Sequence, residues 1–352
     1  MKKPIISGIQ QMGIGMPNVY EAWKWYRQAF GMDIPVFDEA ATAALMLPYT
    51  GNEPRDRHAV LAINANGGGG FEIWQYVSRV PVAADFELQI GDLGLFAAKI
   101  KSKDVAKTYA EHQAKGYNTS PLYDGANGEK TFWVTDPYGN HFQVVPSENW
   151  FRNAHAGTGG AYGAIIGVSD IKSSMEFYRD ILGYDTVIFE GKGKFTDFAH
   201  LPGGPENFHR VILKHSRPRA GAFSRLLGES TLELVKALDR NPRKIFENRF
   251  WGDLGFIHLC FDINGMNEMR ELCAAEGHPF TVDSADSFDM GEAAGHFTYI
   301  EDPDGTLIEF VETHKIPILK KLGWYLNLRK RPADKPLPDW MIRALGLNRV
   351  RD

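Results

Sequence analysis

Residues 302–310 read Asp-Pro-Asp-Gly-Thr-Leu-Ile-Glu-Phe, and residues 136–144 read Asp-Pro-Tyr-Gly-Asn-His-Phe-Gln-Val. Asp-Pro-x-Gly favours a tight turn, because proline presets one backbone angle and glycine accepts positive φ. Aromatic and β-branched residues lie on both sides of each turn, which predicts a hairpin over 132–145 and another over 297–311. The same hairpin therefore occurs twice in a chain of 352 residues, and the two copies start 166 residues apart.

Three further pairs of segments repeat in the same order at nearly the same spacing, so the chain is predicted to be duplicated. The pairs are 26–31 with 178–183, 71–73 with 232–234, and 91–95 with 252–256. The two halves meet near residues 148–160, where the glycine content is typical of a linker. We therefore predict one domain over 1–150 and a second over 158–314.

Each half divides again into two units that open with a strand and a helix. Apolar residues alternate along the predicted strands and recur with helical spacing along the helices. The predicted strands are 8–16, 95–100, 161–168 and 256–263, and the helices that follow them are 19–30, 104–115, 173–182 and 266–276. Asn18 and Asp170 are predicted N-caps, and a glycine follows every helix. Strand-like runs complete each unit, so we predict an α+β fold of four βαβββ units, over 7–80, 86–147, 161–240 and 251–313.

The helix that ends Phe-Tyr-Arg-Asp-Ile-Leu-Gly, at 177–183, and the hairpin at 302–310 resemble those of the vicinal oxygen chelate superfamily. That superfamily includes glyoxalase I, bleomycin-resistance proteins, extradiol dioxygenases and several epimerases. The resemblance covers roughly residues 7–313 and implies two glyoxalase-like domains with cup-shaped mixed sheets. It is specific for the fold and weak for the reaction, because one fold hosts many chemistries.

In that superfamily each unit offers one metal ligand from its first strand and one from its last. The matching positions in the four units are Gln11 and Glu72, Ala97 and Gln143, Gly163 and Glu233, and His258 and Glu309. Glyoxalase I pairs the first unit with the fourth, which implies one site for a divalent metal and a second cup without its ligands. The ligands of that implied site are Gln11, Glu72, His258 and Glu309. Gln10 is the alternative to Gln11 if the register of the first strand is shifted by one residue.

Two alternative sites remain open from the sequence. Pairing the third unit with the fourth, as in two-domain extradiol dioxygenases, implies a site of Glu233, His258 and Glu309. In the second cup, His141 lies on the same strand face as Gln143 and could restore a site with Glu233, although a surface histidine is the simpler expectation.

Two carboxylates, an amide and an imidazole suit Zn²⁺, Ni²⁺, Co²⁺, Mn²⁺ or Fe²⁺. The resemblance implies a substrate with two vicinal oxygens, such as a hydroxyketone or hemithioacetal, and proton transfer by a carboxylate, first Glu309 and second Glu72. The predicted function is a metal-dependent isomerase, epimerase or lyase. An extradiol ring-cleaving dioxygenase, which would favour a second histidine, and a non-catalytic small-molecule-binding protein are the alternatives.

The composition of the chain limits the classes of partner and the cellular location that we expect. A formal net charge of −5 gives no reason to expect nucleic acid, and we expect a small-molecule substrate, with a homodimer left open. The two cysteines, Cys260 and Cys273, fit a reducing compartment. No run of 18 apolar residues occurs, and the apolar run near Met1 is too short for a signal peptide, so we expect a cytoplasmic protein without a transmembrane segment.

Two segments are set apart by composition. Residues 315–352 form a basic amphipathic extension with ten Lys/Arg against three Asp/Glu. We expect it to pack on the acidic body of the protein or on a second subunit; a lid over an anionic substrate and a membrane-surface contact are alternatives. Residues 66–70 contain four glycines without a phosphate-binding motif, which indicates a flexible loop between strands.

Overall fold

The computed structural model describes residues 3–152, 157–285, 288–290, 293–319 and 324–351, and the four predicted units are all present within them. The first unit contains β1 (Ile5–Gly15), α1 (Val19–Phe30), β2 (Ile34–Thr42), β3 (Asp56–Ile63) and β4 (Gly70–Tyr76). The second contains β5 (Gly94–Ser102), α2 (Val105–Ala114), β6 (Asn118–Thr119), β7 (Tyr123–Asp124), β8 (Lys130–Thr135) and β9 (His141–Pro146).

The second half repeats this order of elements and adds the extension. The third unit contains β10 (Thr158–Gly167), α3 (Ile171–Asp180), β11 (Thr186–Gly193), β12 (Phe208–Lys214), α4 (Ser224–Leu227) and β13 (Thr231–Ala237). The fourth contains β14 (Gly255–Asn264), α5 (Met266–Ala275), β15 (Val282–Asp283), β16 (Phe288–Met290), β17 (Ala293–Glu301) and β18 (Leu307–Thr313). The extension contains β19 (Lys315–Leu319), β20 (Trp324–Asn327) and α6 (Asp339–Ala344). The predicted α+β class is confirmed.

The strands of the four units form two nine-stranded mixed sheets, and each sheet draws on both halves of the sequence. One has the order β15-β17-β18-β14-β1-β4-β3-β2, with β16 on β17; the other has β11-β12-β13-β10-β5-β9-β8-β6, with β7 on β8. The first unit therefore shares a sheet with the fourth, and the second with the third. The alternative site of Glu233, His258 and Glu309 is wrong, because β13 carries Glu233 in the other sheet.

Each half of the sequence is nevertheless tied together on the helix side of the sheets. The Tyr26 hydroxyl on α1 donates to Asp136 Oδ2 at 2.6 Å, and the Tyr178 hydroxyl on α3 donates to Asp302 Oδ2 at 2.9 Å. Both aspartates open the Asp-Pro-x-Gly turns and also accept backbone N–H groups of those turns. Side chains from helices of both halves share one apolar core between the sheets.

Helix capping follows the prediction in two units and differs in the fourth. The side chains of Asn18 and Asp170 accept backbone N–H groups in the first turns of α1 and α3. Gly265 precedes α5 and has no side chain to do this. Glu312, on β18, supplies the cap instead and accepts from the N–H groups of Gly265 at 2.9 Å and Met266 at 3.2 Å.

We expect Glu312→Ala to lower the free energy of unfolding by about 0.5–2 kcal/mol, the range for loss of an N-cap side chain. Asp170→Ala removes the equivalent cap from α3 and is the matched comparison. Urea unfolding at pH 7 followed by circular dichroism measures both variants. A Glu312→Ala protein as stable as the wild type, beside a destabilised Asp170→Ala protein, would show that α5 does not depend on this carboxylate.

The glycine-rich segment at 66–70 is a junction between the two sheets and not the flexible loop that the sequence indicates. Gly69 and Ala161 each donate a backbone N–H to the other's carbonyl at 2.8 Å. A Cβ added to Gly160 would lie 2.2 Å from the Gly69 carbonyl oxygen, so only glycine lets the backbones approach this closely.

The described part of the extension packs on its own chain, as the first of our expectations has it. Val350 donates its N–H to the Asp33 carbonyl at 2.8 Å, and Leu337 and Ile342 join an apolar cluster with Phe151. Residues 153–156 of the predicted linker, and residues 320–323 and 352 of the extension, lie outside the described residues.

No helix in the described ranges is long and apolar enough to span a membrane. The cytoplasmic location and the lack of nucleic acid partners stay predictions.

Candidate metal centre

Gln11, Glu72, His258 and Glu309, the four residues of the implied site, meet on the inner face of the first sheet. All four side chains are buried. Gln11 Nε2 donates to Glu72 Oε2 at 3.3 Å, while His258 Nε2 lies 3.3 Å from Glu72 Oε2 and 3.0 Å from Glu309 Oε2. One ligand atom from each of Glu72, His258 and Glu309 lies within 4.8 Å of the others.

Strand register explains why the four side chains meet. Gly13 on β1 lies opposite both His258 on β14 and Glu72 on β4. A Cβ at position 13 would be 2.4 Å from the imidazole, so glycine makes room for the ring between the two carboxylates. Gln11 is the glutamine that contacts Glu72, whereas the amide of Gln10 accepts from the Cys260 thiol at 3.7 Å.

Among the described residues, the buried polar atoms of this cluster have few partners beyond one another. Gln11 Oε1 and His258 Nδ1 have no hydrogen-bond partner there, and His258 Nε2 contacts the two carboxylates at 3.0 and 3.3 Å. Buried polar atoms normally have partners, and a divalent cation that displaces the His258 proton would pair with the imidazole nitrogen, the two carboxylates and the amide oxygen together. These residues therefore fit a metal ion. Within the described ranges, Glu72, His258 and Glu309 are the one group of three histidine, cysteine or acidic residues with ligand atoms this close together.

The ionisable groups of the cluster shift one another's pKa values. Burial by itself would lower the pKa of His258, but the adjacent Glu309 and Glu72 carboxylates outweigh it and raise this pKa to about 9. Burial would raise the pKa of Glu72, but His258, helped by Arg57 and Gln11, outweighs it and lowers this pKa. Burial, followed by the charge of Glu309, raises the pKa of Cys260 well above its usual value, which keeps this thiol protonated and argues against a nucleophile.

Aromatic rings wall the cluster, and our sequence reasoning missed them. The Trp251 ring stacks on His258 with centroids 6.2 Å apart, and Tyr299 meets the imidazole edge-on at 5.5 Å. Trp74 packs edge-on against Trp251 at 4.7 Å. Alternation along β4 places Trp74 on the face of Glu72 and so could have indicated it. Nothing in the local pattern indicates Trp251, which lies on a loop.

In the second cup, buried cations bind the carboxylate that corresponds to a metal ligand. Lys99 Nζ lies 2.5 Å from Glu233 Oε2, and Arg210 binds the other oxygen of Glu233. Arg210 also donates to both oxygens of Asp197 at 2.8 Å. His141 is half-buried and stacks on Phe96 at 5.3 Å, and no metal-ligand cluster among the described residues includes it.

Strand register shows at which equivalent positions the two cups differ. Lys99 lies beside Gln143 as Cys260 lies beside Glu309. On the neighbouring strand of the second cup, Arg210 lies two residues before the residue that is paired with Glu233. Ala59 has the equivalent position in the first cup, two residues before the residue that is paired with Glu72. Small residues in the first cup therefore leave space where long cationic side chains fill the second.

Comparisons with known proteins agree with this fold. The sequence model for the Glyoxalase/Bleomycin resistance protein/Dioxygenase superfamily matches residues 8–144 and 159–310. No curated protein sequence matches the chain. The crystal structure of glyoxalase I from Zea mays is similar, with a TM-score of 0.53 and 13% identity over 87% of this chain and 92% of that one. A putative dioxygenase from Bacillus subtilis is similar with a TM-score of 0.54 and 14% identity, over 89% of this chain and 86% of that one. At such low identity these similarities show the fold alone.

Proposed function

Since this chain belongs to the glyoxalase/bleomycin resistance protein/dioxygenase superfamily, we propose that it is a metal-dependent isomerase, epimerase or lyase acting on a substrate with vicinal oxygens. One observation carries the proposal. Gln11, Glu72, His258 and Glu309 converge in a buried cluster whose ligand atoms fit one divalent cation, among Zn²⁺, Ni²⁺, Co²⁺, Mn²⁺ and Fe²⁺.

A bound divalent cation would supply Lewis acidity, which makes a C–H next to a polarised oxygen easier to deprotonate. The protein must then accept and return the proton. Within the cluster, Glu72 Oε2 lies against both the Gln11 amide and His258 Nε2, whereas Glu309 Oε2 lies against His258 Nε2 and is not held by the amide. Glu309 is therefore the better base, with Glu72 second, and the stacked Trp251 ring holds His258 in place and keeps water from the cluster.

The composition of the cluster favours this chemistry over the two alternatives. Non-heme Fe(II) oxygen chemistry favours two histidines and one carboxylate, whereas this cluster contains one histidine and two glutamates. A protein that only sequesters a small organic molecule needs no metal ligands, so a buried set of residues that fits a cation favours an enzyme.

Metal analysis combined with a proton-exchange assay tests the proposal. We expect the purified protein to hold a divalent metal and to catalyse exchange of substrate C–H for deuterium in D₂O, seen by NMR with hemithioacetals and 2-hydroxyketones. A chelator and His258→Ala should abolish both properties. A metal-loaded protein that exchanges no proton, but consumes O₂ with a catechol and Fe²⁺, would support the dioxygenase instead.

Metal affinity is expected to rise about tenfold per pH unit below pH 9 and to level off above it. The raised pKa of about 9 means that the free protein holds a proton on His258 at neutral pH, and a metal must displace it. Titration calorimetry at pH 7.5 in buffers of different ionisation enthalpy should report release of about one proton per metal.

His141→Gln is the matched control for this titration. Burial, with a smaller effect of His200, lowers the pKa of His141 to about 4, so this imidazole is already neutral. Its loss should leave proton release unchanged. Proton-free metal binding by the wild type at pH 7.5 would contradict the assigned state of His258.

A further inference from the structure

The second cup contains a cavity of about 330 Å³, at the small end of the range for ligand pockets. Lys99, Gln143 and Arg210 are among its lining residues, and these three residues are 4%, 2% and 1% exposed. Tyr162 lies at its edge, and burial raises the pKa of this phenol to about 12, so the hydroxyl keeps its proton. Polar side chains so deeply buried along a cavity indicate a built site.

Two hydrogen-bonding groups of this cavity have unused capacity. Lys99 carries three N–H protons, and its one hydrogen bond within the described residues goes to Glu233. Gln143 Oε1 has no partner in the described part of the chain. Lys99 and Gln143 lie opposite each other on β5 and β9, so a charged donor and a neutral acceptor stand side by side. An unpaired buried acceptor is unfavourable, so a ligand that donates to Gln143 Oε1 and accepts from the remaining N–H groups of Lys99 is favoured.

We propose that the second cup is a metal-free binding site for a small 2-hydroxy acid. The ligand carboxylate accepts hydrogen bonds from Lys99, and its hydroxyl donates to Gln143 Oε1. Charge-assisted bonds to a desolvated ammonium are the strong kind. Asp197 and Glu233 both bind Arg210 and hold it in place. Glu233 also binds Lys99, and this contact orients the Lys99 ammonium. This site is separate from the metal centre and does not depend on the reaction proposed there.

Saturation-transfer NMR and calorimetry on the full-length, metal-loaded protein, with lactate and glycerate as probes, test the site. We expect binding to the wild type, and roughly tenfold or greater weakening by Lys99→Met and by Gln143→Leu. Propionate, which lacks the hydroxyl, should bind no better to the wild type than to Gln143→Leu. Glu309→Gln should bind both probes like the wild type, because that residue lies in the other cup.

Three results would overturn the proposal. The first is no saturation transfer from either probe at about 10 mM, a concentration that reveals millimolar binding. The second is equal affinity of the wild type and Gln143→Leu for lactate and glycerate. The third is binding of these probes that disappears in Glu309→Gln. Gln143→Leu leaves the buried ion pairs intact, so it decides the matter even where Lys99→Met fails to fold.

Discussion

Glu309→Gln is expected to lower kcat by roughly 10²- to 10⁴-fold, the usual contribution of a general base, with little loss of folding stability. The amide keeps the size of the side chain and an oxygen directed at the cluster, but it cannot accept a proton. Steady-state kinetics on the substrate found by deuterium exchange, with metal content measured on the same sample, gives the result.

Glu229→Gln makes the same chemical change at the second cup and serves as the matched control. Its kcat should stay near that of the wild type. If Glu309→Gln loses its metal together with its activity, Glu309 is required as a ligand and its role as base is unsupported. A fully metal-loaded Glu309→Gln enzyme with near-wild-type turnover would remove Glu309 from the mechanism.

Arg210→Met is expected to lower the free energy of unfolding by about 3–5 kcal/mol, the range for removal of one partner from a buried ion pair. The change leaves Asp197 without its cation and Glu233 with Lys99 alone. It also removes the guanidinium from the face of Phe198, 4.0 Å from the ring centroid. Urea unfolding at pH 7 measures the loss.

Two comparisons separate the charge from the packing in this prediction. Adding Asp197→Asn to Arg210→Met should recover part of the stability, because the orphaned carboxylate is gone. Arg179→Met breaks an exposed pair with Asp180 and should have a much smaller effect. An Arg210→Met protein as stable as Arg179→Met would show that the buried network contributes little.

Much of the fold could be predicted from the sequence because its signals are local. Asp136 and Asp302 open turns that a motif of four consecutive residues determines, and apolar periodicity predicts the strands and helices around them. Repetition then marked equivalent positions in the four units, and the resemblance to the vicinal oxygen chelate superfamily implied that Glu72 and Glu309 occupy ligand positions. Ala97 and Gly163 likewise indicated that the second cup lacks ligands.

The tertiary structure decided which units share a sheet and what fills each cup. Lys99 and Arg210 look like ordinary strand residues in the sequence, yet they bind Glu233 from two different strands. Glu312 caps a helix that begins 46 residues earlier, and Trp251 reaches His258 from a loop. Alternation along a strand tells which side chains share a face. It does not tell which strand comes to lie beside it, because every strand edge offers the same backbone donors and acceptors, and packing of the whole chain selects among them.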